Sequence, residues 1–251
     1  MNVSIIQDSR KGGRPYNQDR LGHWKTPKAL LLALADGMGG YAGGELAAQA
    51  AVESIGDAFR AEAKPALADP AAFLSAAVGH AHAAILQRAK KARLGDAPRT
   101  TLVACAVQGG HAYWTFVGDS RFYLIRDGRI LARTRDHSYV QQLVDAGRMR
   151  EEAVSLHPER NKLLRCLGGT EAPGREPVAS APLARNDILL LCSDGLWGPL
   201  TPRVLLMSLI GKPPSRALPE LMALAEARGG PDCDNLSAVA MQWHAEALVG
   251  A

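Results

Sequence analysis

The sequence predicts a layered α+β fold, in which antiparallel strands pack against pairs of helices. Three apolar, strand-like runs follow one another with short connections, at 100–108, 112–117 and 121–126. Connections this short require antiparallel pairing, because parallel strands need a crossover of about a dozen residues or more. A fourth run, 129–134, follows across Asp127-Gly128, a dipeptide typical of tight hairpin turns. Strands and helices therefore do not alternate, which excludes a doubly wound parallel sheet.

The N-terminal part of the chain predicts three strands and a first helix pair. Runs 3–8 and 20–24 are short and strand-like, with a glycine-containing turn between them. Run 29–35 is continuously apolar and stops at an Asp-Gly pair, as expected for a buried strand. Apolar residues recur on one helical face over 43–63. The second helix, 70–93, begins with proline, which suits a first helical turn.

The C-terminal part predicts a second helix pair between two strands. A short helix at 138–146 ends at a glycine and is followed by irregular sequence. The apolar run 188–192 is a strand that stops at Ser-Asp-Gly, and helices follow at 202–210 and 215–228. Residues 235–243 alternate between side-chain types and close the chain as a strand.

Composition favours one soluble domain over residues 1–251. Hydrophobic residues make up 47% of the chain, and no repeat or long polar linker divides it. The longest apolar run, 29–35, is far too short to span a bilayer, and the N-terminus has no charged-then-apolar leader. We therefore expect a cytoplasmic monomer that does not bind membranes.

Charge and cysteine usage exclude some classes of function. The net charge is +4, but no nucleic-acid recognition motif accompanies the basic residues, so we expect a solvated basic face and no nucleic-acid partner. A basic rim would instead favour acidic, phosphorylated substrates. The four cysteines form no Cys-x-x-Cys pair, which argues against a zinc knuckle or a redox motif.

The feature that points to chemistry is a set of aspartates beside predicted strands. Asp36, Asp119, Asp194 and Asp234 lie in glycine- or asparagine-containing turns, and Asp19 ends the segment Arg-Pro-Tyr-Asn-Gln-Asp. A single Asp-Gly is most often only a turn. Carboxylates that converge from several strand ends repel one another, however, and hard divalent cations with oxygen ligands relieve that repulsion. The ensemble therefore indicates metal-assisted chemistry.

These aspartates belong to segments that resemble the ordered motifs of the metal-dependent protein phosphatases, the protein phosphatase 2C family. The resemblance spans residues 14–243 and is closest to the bacterial type with a stand-alone catalytic domain. The family fold is a four-layer α-β-β-α sandwich of two antiparallel sheets flanked by helix pairs. The matching segments are Arg14-x-x-Asn17-Gln18-Asp19, Asp36-Gly37-Met38-Gly39-Gly40, Gly118-Asp119-Ser120-Arg121, Ser193-Asp194-Gly195-Leu196 and Asp234-Asn235.

The resemblance implies a two-metal centre with Mn²⁺ or Mg²⁺. By position, Asp36 would bridge both ions, and the carbonyl of Gly37 would bind one of them. Asp194 and Asp234 would hold the second ion, and Asp19 would act near the metals, mostly through bound waters. Two metals about 4 Å apart activate a water and stabilise both the attacking and the leaving oxygen of a phosphoryl transfer.

Two further residues complete the implied site. Asp119 matches the ligand of a weaker third metal, and Arg14 matches the arginine that grips the substrate phosphate. A guanidinium suits this task because it offers phosphate a planar, two-pronged donor. The expected catalytic residues are therefore Asp36, Asp194, Asp234 and Arg14.

The chain departs from the family pattern at three positions. Met38 stands where animal members carry the histidine assigned as general acid, although bacterial members commonly have methionine. Gln18 stands where many members have glutamate, which removes one negative charge. Gly198 stands where some members have an aspartate that helps to hold the third ion, so that ion should bind weakly.

The resemblance implies a serine/threonine protein phosphatase that opposes a bacterial kinase, as small members do in some type VI secretion clusters. Residues 136–180 match the family's variable flap, which ends with Asn161-x-x-x-Arg165-x-Leu167-Gly168, and we expect substrate choice to reside there. One alternative is a phosphatase specific for anti-anti-sigma phosphoproteins. Another is an inactive module that only binds phosphoproteins. Arg14 and Asp19 favour the general phosphatase over the first, and the complete aspartate set disfavours the second.

Overall fold

The computed structural model describes residues 1–38, 43–94, 98–174 and 177–244. The matched residues Gly39 and Gly40 lie outside these ranges. The strands are β1 Val3–Arg10, β2 Arg20–Lys25, β3 Ala29–Ala35, β4 Arg99–Thr100, β5 Leu102–Gln108, β6 His111–Val117, β7 Arg121–Arg126, β8 Arg129–Arg133, β9 Leu167–Gly168, β10 Ala179–Pro182, β11 Ile188–Cys192 and β12 Leu236–Trp243. The helices are α1 Gly44–Glu62, α2 Pro70–Lys91, α3 Tyr139–Asp145, α4 Asp194–Trp197, α5 Pro202–Leu209 and α6 Pro214–Gly229.

Two five-stranded antiparallel sheets form the centre of the fold. Sheet I has the strand order β1-β12-β11-β7-β8, and sheet II has the order β10-β6-β5-β3-β2. Helices α1 and α2 pack on the outer face of sheet II, while α5 and α6 pack on the sheet I side. The predicted α+β class with four layers is confirmed.

Strand β3 shows how the sequence fixes this layering. Every residue of the strand is buried. Leu30, Leu32 and Leu34 pack into the core between the two sheets, whereas Ala29 and Leu31 pack toward α1 and α2. Alternate side chains of a strand point to opposite faces, so a continuously apolar run belongs in a strand covered on both sides.

The β7–β8 hairpin forms as the sequence predicts. Asp127 and Gly128 both have positive φ, at 46° and 72°. A two-residue turn with positive φ at both positions matches the right-handed twist of the strands, and Asp-Gly suits it because both residues tolerate that conformation.

The pairing expected between the second and third of the closely spaced strands is wrong, and the two strands on either side of the first predicted turn do not pair either. Strands β6 and β7 do not pair, because the link through Gly118, at φ 103°, carries the chain from sheet II to sheet I. Strands β1 and β2 likewise lie in different sheets. The structure adds a 3-10 helix at Glu151–Leu156 and the short strands β9 and β10, which the sequence analysis did not predict.

The predicted helices and strands agree with the structure to within a few residues, apart from α4. Asp194 begins this short helix, where the sequence analysis expected only a turn. Among the described residues, no helix is both long and apolar enough to cross a membrane.

Candidate active site

All five predicted aspartates lie at the same end of the two sheets. Asp19 precedes β2 and Asp36 follows β3, and these strands are antiparallel neighbours in sheet II. Asp194 follows β11 and Asp234 lies just before β12, which are antiparallel neighbours in sheet I. Asp119 lies in the link that joins the two sheets. The sheet pairing therefore brings together carboxylates that are up to 215 residues apart, from Asp19 to Asp234.

Asp36 interacts electrostatically with all four of the other aspartates in this group. Burial raises the pKa of Asp36 well above its usual value, and the charges of Asp19, Asp194, Asp119 and Asp234 raise it further. An acid with several like-charged neighbours resists ionisation, since each neighbour disfavours its charged form. This pattern is the one expected where a cation supplies the missing positive charge.

The neighbours of Asp36 are perturbed in the same direction. Burial raises the pKa of Asp19 to about 6, although hydrogen bonds from Ser193, Ser237 and Asp36 act to lower it. Burial also raises the pKa of Asp194 to about 7, and the charges of Asp234 and Asp19 contribute.

Asp119 is buried and is held through its backbone. Burial raises its pKa well above the usual value, with Asp194 and Asp136 adding to the effect and Arg121 opposing it. The indole Nε1 of Trp197 donates to the carbonyl oxygen of Asp119 at 3.0 Å. Because Trp197 ends helix α4, this bond ties the link between the sheets to the helix that begins at Asp194.

Arg14 and Asp234 form an ion pair at the edge of the group. Nη2 of Arg14 donates to Oδ2 of Asp234 at 2.7 Å, and 48% of the Arg14 side chain is exposed. The loop that carries Arg14 is anchored by Asn235, whose Nδ2 donates to the carbonyls of Lys11 and Tyr16, each at 2.8 Å. Asn235 thus places the guanidinium beside the carboxylates.

A hydroxyl pair fixes the backbone at the end of β3. The backbone N–H of Asp36 donates to Oγ1 of Thr101 at 2.9 Å, and that hydroxyl pairs with Oγ of Ser120 at 2.7 Å. A Cβ at Gly37 would lie 2.4 Å from the carbonyl oxygen of Gly44, so only glycine fits there. The backbone at Gly37 therefore passes so close to the backbone at Gly44 that no side chain would fit between them.

Two cavities adjoin the carboxylates. The larger, of about 860 Å³, is lined by Asp36, Asp194 and Asp234 together with Arg14 and Leu164. The smaller, of about 270 Å³, lies between Arg160 and the Trp197–Gly198 end of α4. Asp119, Asp194, Asp234 and Arg14 line both cavities, so they face solvent-accessible space from two sides.

The donor set suits a hard divalent cation, although the carboxylates are engaged with one another. Within the described ranges, no three acidic, histidine or cysteine side chains form a ready-made metal cluster. Asp19, Asp36 and Asp194 perturb one another's pKa, and Arg14 donates a hydrogen bond to Asp234. Oδ1 of Asp19, by contrast, is buried and has no hydrogen-bond partner. An all-oxygen set with one orphaned carboxylate oxygen fits Mg²⁺ or Mn²⁺.

All five aspartates of the site were predicted from the sequence, but the residues that support them were not. Ser193 and Asn235 lie within the segments that resemble the family motifs. Their positions next to Asp194 and Asp234 were the signal that could have identified them. The buried pair between Arg121 and Asp136 gave no local signal, because its partners lie on two separate segments. The contribution of Trp197 was missed for the same reason.

The comparisons with known proteins agree with this architecture. The family model described as "Protein phosphatase 2C" matches residues 7–218. The serine/threonine protein phosphatase PstP of Mycobacterium tuberculosis is 38% identical over 205 residues, which cover 81% of this chain but only 39% of that relative's length. The catalytic domain of PstP in complex with two manganese ions is similar in structure, with a TM-score of 0.81, 32% identity and coverage of 97% of this chain and 99% of that one. PppA, a key regulatory component of the type VI secretion system in Pseudomonas aeruginosa, has a TM-score of 0.77 at 28% identity over 97% of this chain and 99% of its own. The chain therefore belongs to the protein phosphatase 2C family.

Proposed function

We propose that this chain is a metal-dependent serine/threonine protein phosphatase that hydrolyses phosphoserine and phosphothreonine with a metal-activated water. One observation carries the proposal: two antiparallel sheets deliver five aspartates to one end of the fold, beside a cleft that Arg14 also lines. The names of the relatives and the two manganese ions in the PstP structure support it.

Two ions, Mn²⁺ or Mg²⁺, are the proposed cofactors. Asp36 and the carbonyl of Gly37 would hold one ion, and Asp36, Asp194 and Asp234 the other, with Asp19 acting beside them through water. When bound, such ions activate water and stabilise charge on phosphoryl oxygens. Asp119 would hold a third ion weakly, because Gly198 offers no carboxylate to assist it.

Arg14 is the proposed phosphate-binding residue. Its guanidinium lines both cavities and is half exposed, so it can turn from Asp234 toward a phosphate without leaving the site. Bidentate hydrogen bonds from arginine to phosphate are among the stronger charge-assisted contacts. Met38 also lines the larger cleft, but its thioether has no proton to give. The proton for the leaving oxygen would then come from solvent in the cleft.

Residues 136–180 are proposed to act as a flap that selects substrates, within one catalytic domain spanning 1–251. Asn161, Lys162 and Leu163 from this segment line the larger cleft together with the carboxylates. A loop that forms a wall of the site is well placed to contact the residues flanking a phosphoserine.

The proposed partners are phosphorylated proteins and a bacterial serine/threonine kinase that makes them, with the chain acting as a cytoplasmic monomer. The likeness to PppA supports a place in type VI secretion signalling.

Hydrolysis of p-nitrophenyl phosphate tests the proposed reaction. The chain should lose activity after chelation and dialysis and regain it with Mn²⁺. Asp36→Asn and Asp194→Asn should each remove nearly all turnover, since each removes a ligand charge. The matched control is Asp127→Asn, which makes the same change in the distant β7–β8 turn and should keep full activity.

Activity that persists after complete chelation would refute the metal mechanism. A chain that binds a phosphopeptide but never hydrolyses it would instead support the inactive binding module.

A further inference from the structure

The two carboxylate oxygens of Asp19 have different surroundings. Oδ2 accepts a hydrogen bond from Oγ of Ser193 at 2.8 Å. Oδ1 is buried and has no partner among the described residues. Since an unpaired buried acceptor is unfavourable, something must hold the carboxylate in this orientation.

A closed ring of hydrogen bonds holds Asp19 from behind. The backbone N–H of Asp19 donates to Oδ1 of Asn17 at 3.0 Å, and Nδ2 of Asn17 donates to Oγ of Ser9 at 2.9 Å. Oγ of Ser9 lies 2.7 Å from Oγ of Ser237. The backbone N–H of Ser237 then donates to Oγ of Ser193 at 2.9 Å, and Ser193 closes the ring on Asp19.

The direction of all but one of the hydrogen bonds in this ring is fixed by the donor groups, the exception being the Ser9–Ser237 pair. Only the oxygen of the Asn17 amide can accept from the N–H of Asp19, so the NH₂ group must face Ser9. Ser193 accepts from the Ser237 N–H, which leaves its own hydrogen for Asp19. Ser237 also acts to lower the pKa of Asp19, and its hydroxyl pairs with that of Ser9. Either serine of the Ser9–Ser237 pair can donate to the other.

We infer that Ser193 and Ser237 are positioning residues for the Asp19 carboxylate, Ser193 through its hydrogen bond to Oδ2 and Ser237 through its contacts with Ser193 and Ser9. With Oδ2 held in this way, Oδ1 is available to a divalent cation or its bound water. This inference rests on the proposed function. Both serines are fully buried, so solvent does not substitute for them. Partners that orient a metal-binding carboxylate typically change metal affinity by about 10- to 100-fold when they are removed.

Calorimetric titration of the chelated protein with Mn²⁺ tests the inference. Ser193→Ala should weaken Mn²⁺ binding by about 10- to 100-fold, and Ser237→Ala should weaken it toward the lower end of that range. The matched control is Thr134→Val, which removes another buried hydroxyl that accepts a backbone N–H, from Phe122, in the same sheet. It should change Mn²⁺ affinity less than about twofold. Urea unfolding in chelator separates loss of stability from loss of binding.

A double-mutant cycle shows whether the serines act through Asp19. In an Asp19→Asn background, Ser193→Ala should cause no further loss of Mn²⁺ affinity, because the oxygen it positions is no longer a carboxylate. Wild-type affinity in both serine variants would overturn the inference, as would an equal loss with and without Asp19→Asn. If Ser193→Ala does not fold, Ser237→Ala decides by the same comparison. A parent chain that binds no Mn²⁺ would refute the proposed function and this inference together, and that result differs from a failure confined to the variants.

Discussion

Replacing Arg121 by alanine should destabilise the protein far more than removal of an exposed arginine. Arg121 is buried and donates two hydrogen bonds to Asp136, from Nε at 2.9 Å and from Nη2 at 2.7 Å. Its guanidinium also lies over the ring of Trp197, 3.4 Å from the centroid. Truncation to alanine would leave the carboxylate of Asp136 buried without this partner, because only 3% of that side chain is exposed.

The expected loss follows from the unpaired charge rather than from the pair itself. Removing one partner of a buried ion pair typically destabilises a protein by about 3–5 kcal/mol. In a domain of this size, each kcal/mol corresponds to a shift in melting temperature of about 2–4 °C. Arg121→Ala should therefore lower the melting temperature by roughly 6–20 °C.

Urea unfolding of Arg121→Ala, Asp136→Ala and the double variant measures this effect. The double variant should lose much less stability than the sum of the single losses, because neither charge is then left unpaired. Arg203→Ala, at an exposed position on α5, is the control and should stay within about 0.5 kcal/mol of the parent. A loss below about 1 kcal/mol for Arg121→Ala, or additive losses in the double variant, would refute this reasoning.

Four further outcomes are expected. Arg14→Ala should weaken inhibition by inorganic phosphate about 10- to 100-fold while changing calorimetric Mn²⁺ affinity less, and the reverse pattern would assign Arg14 to the metals. Asp119→Ala should keep tight Mn²⁺ binding and remove only the weak binding seen at high metal concentration. Loss of the tight sites would instead make Asp119 a ligand of the two-metal centre. A phosphopeptide panel should show turnover of phosphoserine and phosphothreonine ahead of phosphotyrosine, and fastest turnover of phosphotyrosine would contradict the proposed specificity. Burial lowers the pKa of His82, whose Nδ1 accepts the N–H of Gly168 at 3.2 Å, so the unfolded chain binds the proton more readily. The contribution of His82 to stability should then be lost as the pH drops below about 6.5, opposite in sign to the contribution of the aspartates with raised pKa, so the parent should lose stability relative to His82→Gln over that range. A difference between parent and variant that does not change with pH would rule this residue out.

The local elements were predictable because their signals are local. The bounds predicted for β3 and β7 match the structure, since continuous apolar runs and turn residues mark both ends. The Asp127-Gly128 hairpin followed from the conformations that these two residues accept. The aspartates were found because each one interrupts or borders such a run.

Which of the two sheets each strand joins could not be predicted in the same way. A connection as short as the one through Gly118 is compatible with a hairpin and with a crossing between sheets, and the sequence analysis chose the hairpin. The choice depends on which strands are already paired elsewhere, which is a long-range property. The ring behind Asp19 was missed for the same reason. The ring exists only once β1, β11 and β12 are neighbours, because Ser9 lies in β1, Ser237 in β12 and Ser193 directly after β11.

The ionised carboxylates of the candidate site destabilise the folded protein. The raised pKa values of Asp36, Asp119 and Asp194 mean that the folded chain disfavours their ionised forms relative to the unfolded chain. A sequence selected only for stability would replace these carboxylates with neutral side chains. Their concentration at the one end where both sheets meet is understandable if divalent cations supply the compensating charge there. The same repulsion that weakens the fold then favours the binding of those cations, because a cation relieves several unfavourable contacts at once.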